Sequence, residues 1–168
     1  MNLNRNQFLH FEVVNNRNRK EAEDLSVFSE QSGFIESVSE CLKEADELKL
    51  WRPVGIYDGS TLIGFAMYGY FPEPAPGQLW LDRLLIDKKY QGKGYGKQAV
   101  LALLDKLRTE YQRDTVYLSV YENNPHAIQL YHINRLASTL MENTTPTERG
   151  SWYTLFKIQL FHSVSPFI

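Results

Sequence analysis

Residues Leu79–Leu104, LWLDRLLIDKKYQGKGYGKQAVLALL, decide the fold. The apolar run Leu79–Ile86 has the length and composition of a buried strand, and the run that begins at Gln98 is spaced as an amphipathic helix. Between them lies a loop with Gly92, Gly94 and Gly96. Strand, glycine-rich loop and helix together make a phosphate-binding corner. The glycines let backbone approach a ligand closely, and the helix start directs unsatisfied N–H groups and a positive dipole end at an anion. Lys93 and Lys97 add positive charge. The spacing G-x-G-x-G is neither the dinucleotide fingerprint G-x-G-x-x-G nor the P-loop G-x-x-x-x-G-K-[ST], so both of those nucleotide folds are excluded.

Working outward, Leu9–Val14 reads as a first strand, and helical stretches are expected over 19–30 and 36–48. Arg52–Asp58, the turn Gly59-Ser60 and Thr61–Tyr70 form a hairpin signature, followed by the Pro-rich loop FPEPAPG before the fourth strand. Beyond the glycine corner come a strand, Asp114–Val120, and a further helical element. The order β, α, α, β, β, β, α, β, α gives an α/β domain with a mixed central sheet flanked by helices, without repeats or linkers. At 168 residues, with 43% hydrophobic and 13% aromatic content, the chain can bury one sizeable core. A net charge of −2 argues against nucleic-acid binding and suits a cationic small substrate. The single cysteine, Cys41, excludes an intramolecular disulfide and reads as a small buried residue; with no long apolar run, no membrane is expected and the chain reads as cytoplasmic.

Gln91-Gly92-Lys93-Gly94-Tyr95-Gly96 resembles the Q/R-x-x-G-x-G/A signature of the GNAT N-acetyltransferase superfamily. In the order that family follows, Asn124-Pro125-His126-Ala127-Ile128-Gln129-Leu130-Tyr131 resembles its N-x-x-A-x-x-L-Y element. The runs RPVGIY, GFAMYG, FPE, WLDR, YQGKGYGK, YLSVYENN and HAIQLY are similar to bacterial spermine/spermidine acetyltransferases over about 34–131. The resemblance implies transfer of acetyl from acetyl-CoA to a primary amine of a polyamine. Acetylation of another small amine or a peptide N-terminus, and an inactive acyl-CoA-binding module, stay open beside it. It also implies that residues 91–97 (Gln91, Gly92, Lys93, Gly94, Tyr95, Gly96, Lys97) hold the pyrophosphate, that backbone groups of Leu84, Leu85 and Ile86 pair with the pantetheine arm, and that Asn124 and Ala127 line it. The partner expected is a small amine; a homodimer is compatible with this reading.

An alkyl ammonium has a pKa near ~10.4 and must lose a proton before it attacks a thioester. By the resemblance, Asp82 stands where related enzymes carry an acidic residue proposed as the base, and the alternative is a structural Asp paired with Arg83 or a loop N–H. A departing thiolate needs a proton or a hydrogen bond. Tyr131, which ends the L-Y element, can supply it, the alternative being a buried aromatic. Glu36, Glu73, Glu122 and Asp82 are candidate holders of a polyamine's charges, and Tyr68, Phe71 and Trp80 offer aromatic faces, with core packing as the competing use of each ring. His126 and His132 lack a third partner at metal-ligand spacing, so no metal is assigned.

After Tyr131 the resemblance stops, which divides the chain into a family-like part, 1–131, and an atypical tail, 132–168. Encoded as TAT CAT ATC AAC AGG, Tyr131–Arg135 contains TATCA twice in tandem. Deleting one copy yields Y-Q-Q-V-G-F followed by the closing hairpin of the family. The tail therefore reads as a frame shift, whose expected cost is an unpaired strand edge and uncovered apolar surface. Within it, TLFKIQLF alternates well enough for a strand.

Overall fold

The computed structural model describes residues 9–133, 139–140, 145–146 and 152–159. The chain forms two compact units that divide inside a helix, between Ala102 and Leu103.

The first unit holds strands β1 (His10–Val13), β2 (Trp51–Asp58), β3 (Thr61–Phe71) and β4 (Gln78–Ile86), each antiparallel to the next. β2 and β3 are joined by the expected two-residue turn, in which Gly59 has φ 59°. Helices α1 (Arg19–Glu23) and α2 (Val38–Glu47) connect β1 to β2. α2 starts on a capping box: Glu40 N–H donates to Ser37 Oγ, and the Ser37 N–H donates back to the Glu40 carboxylate at 2.9 Å. Its buried residues Val38, Cys41, Leu42 and Ala45 share a core with Ala22 of α1 and with Tyr57, Leu62, Phe65, Met67 and Leu85 of the strands. Cys41 is thus the buried residue expected.

The first helix is much shorter than its sequence predicts, and a 3-10 turn at Ser29–Gln31 replaces its second half. Tertiary hydrogen bonds explain the break. Ser26 N–H donates to Asp87 Oδ2 at 2.9 Å and Ser26 O accepts from Lys88 N at 2.8 Å, so the backbone that would continue the helix is bonded to the end of β4 instead.

Helix α3 (Tyr95–Tyr111) crosses from the first unit into the second and buries Ala99, Val100, Leu103, Leu104 and Leu107 along one face. In the second unit, β5 (Thr115–Tyr121) leads to α4 (Pro125–Ile133). The short strands β6 (Thr139–Leu140) and β7 (Thr145–Pro146) both pair with β8 (Trp152–Gln159). β8 falls in the tail and overturns the expectation of an unpaired edge. It lies antiparallel to β5 along the whole strand, from Thr115↔Gln159 to Tyr121↔Tyr153, and buries Ile158 opposite Val116.

Candidate active site

The loop after β4 has the backbone its glycines allow. Gly92 has φ +75° and Gly94 φ +82°, a region that L side chains rarely adopt. A Cβ built at Gly92 would meet nothing within 4 Å, and one at Gly94 only Gln98 Nε2 at 3.9 Å, so the need for glycine comes from the backbone angle and not from crowding. α3 begins immediately afterwards: Gln98 N–H donates to Gly94 O at 3.3 Å, which leaves the N–H groups of the preceding turn outside the helix ladder. With Lys93 and Lys97 exposed, this corner fits an extended anion such as a pyrophosphate.

Several side chains expected at the ligand instead hold the loop. Gln91 Nε2 donates to Ile86 O at 2.9 Å and to Gln31 Oε1 at 2.9 Å, while its Oε1 accepts from Gln31 Nε2 at 3.0 Å. The amide is therefore committed to the protein. Tyr95 donates to Asp58 Oδ2 at 2.5 Å, tying the start of α3 to the β2–β3 hairpin; that bond holds the phenol above its ordinary pKa. Lys93 lies over the Tyr90 ring, 5.5 Å from its centroid. Asp87, only 3% exposed, accepts the N–H groups of Ser26 and Lys89 and organises the whole turn. Nothing in the local sequence distinguishes Asp87 or Gln31 from surface polar residues, since their partners lie 61 and 60 positions away.

On β4 the ladder carries an irregularity. Arg83 pairs with Met67 and Leu81 with Tyr68, so Asp82 is the extra residue of a β-bulge. Strict alternation would send Asp82 and Arg83 to opposite faces, whereas here Asp82 Oδ2 is in contact with Arg83 Nη1. The guanidinium also meets one residue just before α2 and one within it. Arg83 Nε lies 2.8 Å from Glu36 Oε2, an ion pair without hydrogen-bond alignment, and Nη2 lies 3.5 Å from Glu44 Oε2. Asp82 and Arg83 are 17% and 18% exposed, against 48% and 43% for Glu36 and Glu44, so one half-buried cation joins a half-buried carboxylate to two nearer the surface. Burial holds Asp82 above the ordinary carboxylate pKa, with the Glu36 and Glu44 charges acting in the same direction and Arg83 opposing them. Burial likewise pushes the Cys41 thiol up to about 11, so it is neutral beside Arg83.

Three aromatic residues expected at the substrate, Tyr68, Phe71 and Trp80, have partners within the protein. Tyr68 is 2% exposed and packs in the core, so its ring presents no face to a substrate. Phe71 packs edge-on against Trp51 at 4.7 Å, and Trp80 donates its Nε1–H to Gln78 Oε1 at 3.0 Å, both half-buried. Glu73 is exposed in the loop after β3. Leu84, Leu85 and Ile86 pair with Ala66, Phe65 and Gly64 of β3. Arg83, read from sequence only as a partner for Asp82, proves to be the hub of the charged cluster.

In the second unit, Asn124 is the cap of α4: its Oδ1 accepts from Ala127 N–H at 3.2 Å and its carbonyl from Ile128 N–H at 3.1 Å, with Pro125 at the first helical position. Glu122 is exposed just before this cap. Tyr131, near the other end of α4, is 7% exposed, and burial pushes its phenol up to about 12. It therefore stays protonated, as a proton donor must, throughout the neutral range. Among the described residues, no group of three or more His, Cys, Asp or Glu side chains is arranged to hold a metal.

The strand, glycine loop and helix define an α/β protein with an anion-binding corner. The model of the acetyltransferase (GNAT) family matches residues 16–134, and the chain belongs to that family. It is 45% identical over 127 residues to the spermine/spermidine N(1)-acetyltransferase of Bacillus subtilis strain 168, covering 73% of this chain and 84% of that one. A probable spermine N(1)-acetyltransferase of Bacillus subtilis subsp. natto is 46% identical over the same length and coverage. Among solved structures, spermidine N-acetyltransferase from Vibrio cholerae, in complex with CoA and spermine, superposes with a TM-score of 0.67 at 19% identity, covering 92% of this chain and 96% of that one.

Proposed function

We propose that the protein transfers the acetyl group of acetyl-CoA to a primary amine of a polyamine, spermidine or spermine. The observation that carries this reading is the 45% identity to an enzyme of that name across 84% of its length. The Asp82, Glu36 and Glu44 carboxylates on one face supply the charge that a polycation needs.

Acetyl-CoA brings the activated acyl group as a thioester; the remaining chemistry belongs to the side chains. The loop 91–97 takes the pyrophosphate on backbone N–H groups, with Lys93 and Lys97 adding charge. Asn124 and Ala127 line the pantetheine arm, along which backbone groups of Leu84, Leu85 and Ile86 pair. Asp82 holds the reacting ammonium and accepts its proton, directly or through water. An ordinary carboxylate, near 3.9, is a poor base for an ammonium near ~10.4, and burial of Asp82 narrows that gap. As the C–N bond forms and the C–S bond breaks, the phenol of Tyr131 gives its proton to the sulfur, and the second proton shed by the new amide nitrogen restores the phenol through water. Glu36, Glu73 and Glu122 are proposed to hold the distal charges, with Trp80 and Phe71 along the methylenes.

No helix among the described residues is long and apolar enough to cross a membrane, and a cytoplasmic location is part of the proposal. The test is turnover of acetyl-CoA with spermidine, with an N-terminal peptide and an aminoglycoside as competing acceptors, alongside acetyl-CoA calorimetry. Turnover confined to the peptide or aminoglycoside would overturn the polyamine assignment, and binding without turnover would make the chain an acyl-CoA-binding module. Sedimentation velocity reads whether it is a homodimer.

A further inference from the structure

We infer that Arg83 is a positioning residue of the amine site: its guanidinium grips Asp82, Glu36 and Glu44 together and fixes where the Asp82 carboxylate stands. The inference rests on the proposed role of Asp82 in the reaction. Its geometry stands apart from that role, in the bulge and three ion pairs.

A regular strand could not make this arrangement, because neighbouring residues point to opposite faces. The bulge removes that restriction at one place in β4, between Leu81 and Arg83. Arg83 lies opposite Met67 and two residues before Leu85, both in the core beneath α1 and α2, so its side chain runs along the face that α2 covers. There its charged end has three carboxylates within reach. A lysine ammonium could meet one or two of them; the planar fork of arginine can hold three at once.

The electrostatic consequence has a definite sign. Burial opposes the charged form of Asp82, as do the neighbouring Glu36 and Glu44, and Arg83 alone favours it. The other titratable neighbour, Cys41 of α2, is neutral at working pH. Removing the guanidinium leaves three carboxylates without their cation, so Asp82 must hold its proton to higher pH. Removing Glu36 or Glu44 must do the reverse.

The kinetic signature is separable from the titration of substrate. If Asp82 takes the proton of the bound ammonium, log kcat/KM is flat over the neutral range and falls with a slope of one where Asp82 itself protonates, and that break reports Asp82. In Arg83→Gln the break should move up by roughly 1 to 3 pH units, the usual effect of an opposite charge at this range. Arg83→Lys should bring most of it back. A polyamine, drawn to a more negative cluster, should bind Arg83→Gln at least as tightly as wild type, whereas damage to the scaffold would weaken binding.

If Arg83→Gln fails to fold, Glu36→Gln and Glu44→Gln, at the half-exposed ends of the cluster, carry the test with opposite sign: the break should fall. The carboxyl titration of Asp82, followed by carbon NMR, reads the same shifts without turnover. A folded Arg83→Gln whose Asp82 titration does not move, or glutamate variants that raise it, overturns the inference. Shifts of the expected sign in the NMR titration with no movement of the kinetic break leave the hold of Arg83 on Asp82 standing and remove Asp82 from the reaction.

Discussion

Strands β4 and β5 were both recognisable as apolar runs, yet they are built differently. From Thr115 to Tyr121, β5 alternates half-buried and buried residues without exception, and all seven pair in register with β8. β4 alternates only as far as Leu81; Asp82, Arg83 and Leu84 then lie half-buried in succession, and the ladder shifts. Period two serves packing. Its failure on β4 turns two charged neighbours to one another, and a few residues later Gly92 and Gly94 take backbone angles that other residues rarely adopt. The chemistry gathers where the regular pattern is given up.

The largest effect is expected where irregular backbone is forced to accept an ordinary residue. Gly94→Val places a β-branched side chain at φ +82° and puts methyl groups in the space before the loop. Acetyl-CoA binding should drop below calorimetric detection. Leu118→Ala in β5, at a position 1% exposed, should instead cost about 2–5 kcal/mol of stability in denaturant melts and leave the acetyl-CoA affinity of the folded protein intact. Unchanged affinity in the Gly94 variant, or an equal loss in both, contradicts the division of labour.

Next in size is Tyr131→Phe, which deletes one oxygen. If the phenol protonates the leaving sulfur, kcat should fall about 10²- to 10⁴-fold with acetyl-CoA binding little changed. Because burial pushes this phenol up to about 12, wild-type kcat should show no alkaline limb from it in the neutral and mildly basic range. A Phe variant as fast as wild type would make Tyr131 only a packed aromatic. Asp82→Asn should have a smaller effect, since high pH supplies neutral amine without a base. Turnover should be depressed at neutral pH and partly recover as pH rises. Equal turnover at neutral pH would reduce Asp82 to a structural partner of Arg83.

The features readable from the chain were those with local causes. The hairpin at Gly59-Ser60 and the glycine loop each depend on residues within a few positions of one another. The expected helix 19–30 failed because bonds from Ser26 to Asp87 and Lys88, far along the chain, outweighed local preference. The bulge escaped notice for a related reason: it is a mismatch of register between β3 and β4, and WLDR by itself does not contain it. Asp82 and Glu36 were candidates in the sequence, whereas Glu44 was not, and the Glu36–Arg83–Glu44 assembly required distant segments to be folded together.

The smallest effect is expected in the tail, where regularity has been regained. A frame shift after Tyr131 predicts a tandem TATCA in the coding DNA, and removing one copy should restore the closing hairpin of the family. Had β5 been left with a bare edge, that repair would bring a large gain. β8 instead supplies seven paired residues and a fully buried Ile158, so much of the strand pairing and apolar burial is already present. The repaired chain should therefore melt only a few degrees higher, at roughly 2–4 °C per kcal/mol for a chain of this length, and turn over polyamine less than about tenfold faster. Differential scanning calorimetry and initial rates on the two proteins measure both. If the DNA lacks the repeat, or the repaired chain is neither more stable nor faster, the frame-shift reading fails; β8 is then a native solution to the closing of β5, reached by a sequence unlike that of the family.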